Sequence, residues 1–108
     1  NINGEIEVSD EISKNIKPNS MLYITIKNDK NIIFAVSKTI NPVFPAKFKI
    51  GGKNVLYPEI SSFKIKIETS INTHGEVGRI KSGDFYSAAE EGTIFSRNLR
   101  IVVNKTKN

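Results

Sequence analysis

Chemistry in this sequence would have to begin at His74, its only histidine. His74 stands in Thr73-His74-Gly75-Glu76, a composition that makes a tight polar turn. The chain has no cysteine, and Met21 is its sole thioether, far away in sequence. One imidazole without a thiolate cannot build a type-1 copper site. The missing cysteines also exclude disulfides, zinc–thiolate centres and thiol redox chemistry. Carboxylates pair at Asp10-Glu11 and Glu90-Glu91, but adjacent residues on a strand or loop point in different directions. Neither pair is therefore poised like a glycosidase dyad. Serines are plentiful, yet no nucleophile elbow exists, since Gly75-Glu76-Val77-Gly78 lacks one. The glycines are dispersed and form no phosphate-cradling loop, so they read as turn and bulge residues. These patterns predict a chain that is not an enzyme and holds no metal or cofactor.

Recognition is the alternative to catalysis. The stretch from Lys81 to Ser96 lacks periodicity and places two aromatics beside a turn, at Asp84-Phe85-Tyr86. Such aromatics either anchor a loop on the core or present contact residues at the end of a sandwich. Asp84, Phe85 and Tyr86, with His74 and Arg79, are the candidate partner-binding residues. The formal net charge of +5 comes mostly from lysine. Lys47 and Lys49, like Lys64 and Lys66, alternate with apolar residues, as on a solvated strand face with its edges protected. Only three arginines occur, and no aromatic stripe interleaves with the basic residues, so a nucleic-acid partner is not expected. The charge would suit an acidic protein or an anionic lipid.

The elements that must position these residues are β-strands. Apolar character is concentrated in Ile, Val and Phe, which fit a pleated surface better than a helix. Ile2, Gly4, Ile6 and Val8 alternate with polar residues. Ser9-Asp10-Glu11 then caps a single helical turn through Ile12 and Ile16. Met21 to Lys27 and Ile32 to Lys38 form a hairpin around Asn28-Asp29-Lys30-Asn31, with Leu22, Ile24 and Ile26 facing inward. The run Ile33-Phe34-Ala35-Val36, apolar on both faces, predicts a central strand. Pro42 and Pro45 mark a crossing loop. Ala46, Phe48 and Ile50 make a short strand, and 54–62 is connecting loop. Phe63, Ile65, Ile67, Thr69 and Ile71 alternate along a half-exposed strand. Val77 to Ile80 is expected as a short or irregular strand, 81–93 as a long loop, and Leu99 to Val103 as the last strand. The sum is one all-β Greek-key sandwich over residues 1–108, of immunoglobulin-like or cupredoxin-like type, with about seven strands and one short helical turn.

In order along the chain, several segments resemble one family. It is the immunoglobulin-like domain at the C-terminal end of cytochrome c biogenesis proteins of the CcmH/CycH/CcmI type. Ile2-Asn3-Gly4-Glu5-Ile6-Glu7-Val8 is similar to that domain's first strand, and Met21-Leu22-Tyr23-Ile24 to its "LFVFAR" strand. Ile33 to Lys38 resembles "PLAVKR", and Phe44 to Ile50 resembles "LP-x-x-F-x-L". Ile65 to Gly75, then Ser82-Gly83-Asp84-Phe85, are similar to the stretch ending in "x-GDL". The "ARIS" segment reads Glu68-Thr69-Ser70-Ile71-Asn72 here, without its arginine. The resemblance implies a periplasmic module that assists covalent haem attachment. Its partners would be apocytochrome c or other haem-ligation subunits, and no catalytic residue is implied. The alternative is a generic extracytoplasmic interaction or adhesion domain. The chain begins at Asn1 without Met and reads as a piece excised from a longer or signal-bearing precursor, one that could carry a membrane anchor. No apolar run within it approaches the ~20 residues needed to cross a bilayer.

Overall fold

The alternation of β-branched and polar residues produces two packed sheets in the computed structural model, which describes residues 1–108. Strand β1 (Ile2–Val8) leads to a helical turn, α1 (Asp10–Ser13), capped by Ser9, whose Oγ accepts the Ile12 amide at 3.4 Å. Then follow β2 (Met21–Lys27), β3 (Ile33–Ile40), β4 (Ala46–Ile50) and β5 (Lys64–Asn72). Two single 3-10 turns, Gly52–Asn54 and Pro58–Ile60, lie between β4 and β5. The chain finishes with β6 (Phe85–Tyr86), β7 (Glu90–Thr93), β8 (Leu99–Val103) and β9 (Lys105–Thr106). One sheet has the order β4-β1-β8 and the other β3-β2-β5-β6-β9, with β7 pairing the first half of β5. The expected all-β sandwich with one short helical turn is thus the observed architecture.

Fifteen buried apolar side chains form the core between the sheets, among them Ile6, Ile24, Ile26, Ile67, Ile101 and Val103. Most come from alternate strand positions, because a strand sends every second side chain to the same face. The β2–β3 hairpin is closed by Asn28, whose Oδ1 accepts the amides of Lys30 and Ile32, both at 2.9 Å. Its Nδ2 donates to the Ile60 carbonyl at 2.9 Å, tying this turn to the β4–β5 connection.

The structure corrects the reading of β3 as a central strand, for β3 is an edge of its sheet. Its apolar run has two other causes. The register shifts between Ile26 and Lys27, a bulge that lets consecutive Phe34 and Ala35 both be buried. The β4–β5 connection then covers the free edge. Leu56 donates its amide to the Phe34 carbonyl at 2.7 Å, and Val55 bridges Ala35. A second correction concerns Val77–Ile80, which forms a turn and no strand. The segment from Thr73 to Asp84 instead folds back over the outer face of β2 and β3. There Tyr23, only 2% exposed, donates its hydroxyl to the Gly75 carbonyl at 3.1 Å. Gly78, at φ +74°, lies against the tip of Ile33.

Candidate functional site

The predicted contact residues fall on this overlying segment and the strand that follows it. Asp84 is buried, and it organises its surroundings as an acceptor. The Nδ1 of His74 accepts the Glu76 amide at 3.0 Å, so the neutral ring carries its proton on Nε2. From there it donates to Asp84 Oδ2 at 2.6 Å, and the Lys81 amide donates to the same oxygen at 2.8 Å. The backbone of Asp84 also accepts from the Lys107 amide, and Gly83 donates to the Lys107 carbonyl, each at 2.9 Å. His74 and Asp84 therefore fasten the turn at 73–76, the loop at 81–84 and the C-terminal strand into one latch.

Outside this latch, Lys81 Nζ lies 2.9 Å from Glu76 Oε1. That hydrogen bond, with further help from the charges of Lys81 and Arg79, holds the exposed Glu76 carboxyl below its ordinary value. Phe85 points inward from β6 and packs on the core, while Tyr86 faces outward, half-buried. Arg79 is exposed. The structure thus brings His74 and Asp84 into contact and keeps Arg79 on the neighbouring surface. Phe85 and Tyr86 are directed to opposite faces of their sheet. No group of three or more His, Asp or Glu residues is arranged to hold a metal ion.

A different feature lies at the other end of the sandwich and has no counterpart in the sequence reading. Where β1 begins and β4 ends, the sheets part around a cleft of about 290 Å³. Ile2, Ile26, Phe34, Ile50, Val55 and Phe95 form its apolar lining. Phe95 is 62% exposed and Phe63 56%, and their rings meet edge to face with centroids 6.0 Å apart. Leu56 and Tyr57 are also more than half exposed on the adjoining connection. The alternation from Phe63 to Ile71 suggests a buried Phe63. Strand β5 starts only at Lys64, however, and Phe63 swings out to meet Phe95. A long-range aromatic pair of this kind leaves no local trace in either segment.

No charged side chain lines the cleft, whose polar side chains are those of Asn1 and Ser61. An apolar opening with an exposed aromatic pair beside it can receive a side chain from another molecule. Comparison with protein-family models, with curated proteins and with solved structures yields no match for this chain.

Proposed function

We propose that the domain is a non-catalytic protein-binding module serving cytochrome c maturation in the periplasm, where it engages apocytochrome c or subunits of the haem-ligation machinery. The open apolar cleft with its exposed Phe63–Phe95 pair carries the binding half of this reading. Exposed aromatics beside an apolar hollow are costly in water and are typical of surfaces that another protein covers. The maturation half rests on the ordered sequence resemblance. Its segments fall on β1, β2, β3, β4, β5 and β6, so it spans the framework strands rather than one loop.

The test is an NMR titration of the labelled domain with an apocytochrome c peptide containing a Cys-x-x-Cys-His attachment motif, beside a scrambled control. Shifts confined to one face, and absent with the scramble, support the maturation role. They also locate the contact, either at Phe63 and Phe95 or at the latch of His74, Arg79, Asp84, Phe85 and Tyr86. No shifts with the peptide or with purified haem-ligation subunits would overturn that role and leave a general extracytoplasmic interaction or adhesion domain.

A further inference from the structure

We infer that β8 is a pairing edge for a second copy of this chain. The two β8 strands would meet antiparallel about a twofold axis at Ile101 and join two three-stranded sheets into one. The inference concerns how the domain meets itself and does not depend on the partner named above.

Every sheet edge but this one is guarded. An edge strand presents unpaired peptide groups that template pairing unless charge, cover or brevity blocks it. Strand β4 exposes Lys47 and Lys49, and a second β4 laid antiparallel about Phe48 would set lysine against lysine. Strand β3 is covered at Phe34 and Ala35 by Leu56 and Val55. Asn54 donates its side-chain amide to the Val36 carbonyl at 3.3 Å, and the remainder of that edge carries Lys38. Strand β7 carries Glu90 and Glu91, and β9 is only two residues long. Strand β8 has none of these devices. Val102 on its outer face is 41% exposed, and its one charge, Arg100, is already held by Glu7.

The backbone directions fit self-pairing in one register. The Val103 carbonyl accepts the Ser9 amide at 3.1 Å, and the Leu99 carbonyl also faces β1, beside Gly4. Alternate residues of a strand turn their peptide groups to opposite sides. Arg100 and Val102 therefore point theirs away from β1, and no other segment bonds to them. In a pair centred on Ile101, Arg100 stands opposite Val102 of the second copy, so outward groups meet outward groups and form closely spaced hydrogen bonds. A shift of one residue would oppose outward groups to inward ones.

Charge fits the same register. Glu5 lies beside Arg100 and Glu7 beside Val102 in the β1–β8 ladder. Each row across the joint would read Glu5, Arg100, then Val102 and Glu7 of the second copy, with a cation between acids and no like charges opposed. The aliphatic stem of Arg100 would cover the Val102 methyls. A five-residue edge buries less than the roughly 1,200–2,000 Å² of stable interfaces, so the dimer is weak and depends on concentration.

The experiment dilutes the labelled domain from about 1 mM to about 0.02 mM, following amide shifts by NMR and mass by sedimentation equilibrium. The concentrated sample should approach the mass of two chains, with shifts centred on Arg100, Ile101 and Val102. Slow hydrogen exchange at the Arg100 and Val102 amides should be lost on dilution. A mixture of labelled and unlabelled protein should give a contact between the α-protons of the two Ile101 residues. Val102→Lys sets a lysine against Arg100 of the second copy and should weaken association at least about tenfold. Val43→Ser, at an exposed apolar position outside β8, should leave it unchanged. Because Val102 is exposed, a urea melt should show Val102→Lys to be folded. The mass of one chain at every concentration, undiminished association of Val102→Lys, or dilution shifts centred on Phe63 and Phe95 would each overturn the inference.

Discussion

Two hydroxyls inside the sandwich are out of keeping with their surroundings. Thr69 and Ser87 face each other across the pairing of β5 with the end of β6, where Ser87 donates its amide to the Thr69 carbonyl at 3.1 Å. Both side chains are buried, and neither hydroxyl oxygen has a hydrogen-bond partner. Thr69 continues the inward row of Ile65, Ile67 and Ile71, so its hydroxyl is desolvated among methyl groups. Thr69→Val should therefore raise stability by about 0.5–1 kcal/mol in urea melts. A loss would show the hydroxyl to be satisfied by an internal water. At the surface, Glu76 gives a prediction with a definite sign. Its carboxyl lies below the ordinary 4.5 in the folded protein, chiefly through the Lys81 hydrogen bond. The contribution to folding is thus present above pH 4.5 and is lost as pH falls through the lower folded value. Lys81→Ala should move the Glu76 midpoint upward toward 4.5 in a carbon-detected NMR titration.

Among the elements, the parallel pair β1–β8 is the most exacting. A Cβ at Gly4 would fall on the Leu99 carbonyl oxygen and lie 2.8 Å from the carbonyl carbon, both backbone atoms that cannot turn aside. Gly4→Ala should cost about 2 kcal/mol, read from the urea midpoint, because the strands must part to admit the methyl group. A fully stable variant would show that β8 can shift along β1. The exposed Glu7–Arg100 pair spans the same two strands, and it holds Glu7 below and Arg100 above their ordinary values. This element scale also shows what the sequence could reveal. The hairpin β2–β3, the inward row of β2 and the α1 cap are written locally, in period-two alternation and in Ser9 and Asn28. Strands β6 and β9 are two residues each and exist only because Ile71, Phe85 and Thr106 meet from distant parts of the chain. The edge position of β3 was hidden for a related reason. Its covering comes from Val55 and Leu56, which no periodicity within β3 can report. The latch residues were visible as types, His74 and Asp84, but their contact depends on Lys107 and the fold-back of 73–84. The cleft was invisible, since Ile2, Phe34, Ile50 and Phe95 belong to four separate segments that look like ordinary core.

For the molecule as a whole, one core serves both sheets, so damage anywhere in it should be felt globally. Ile24, Phe34 and Ile67 are 1%, 4% and 0% exposed. Truncating any of them to Ala should cost about 2–5 kcal/mol, measured by urea denaturation. Three unaffected variants would refute the strand phasing. Phe34 differs from the others because it also forms the wall of the cleft. Its loss should enlarge the opening as well as weaken the core. The two ends of the sandwich are thereby given different characters: the end around His74 and Asp84 is fastened by hydrogen bonds, and the opposite end is left open and greasy. The parallel pairing of β1 with β8 has a mechanical consequence. Both strands run from the open end toward the fastened one, with Gly4 beside Leu99 and Val8 beside Val103. Tension applied through the two ends of the chain would pull β1 and β8 in opposite senses along their shared ladder. Its hydrogen bonds would be loaded together, in shear, instead of unzipping one after another. The short β9 would peel away from β6 first, and the ladder from Gly4 to Val103 would then bear the load as the domain's clamp.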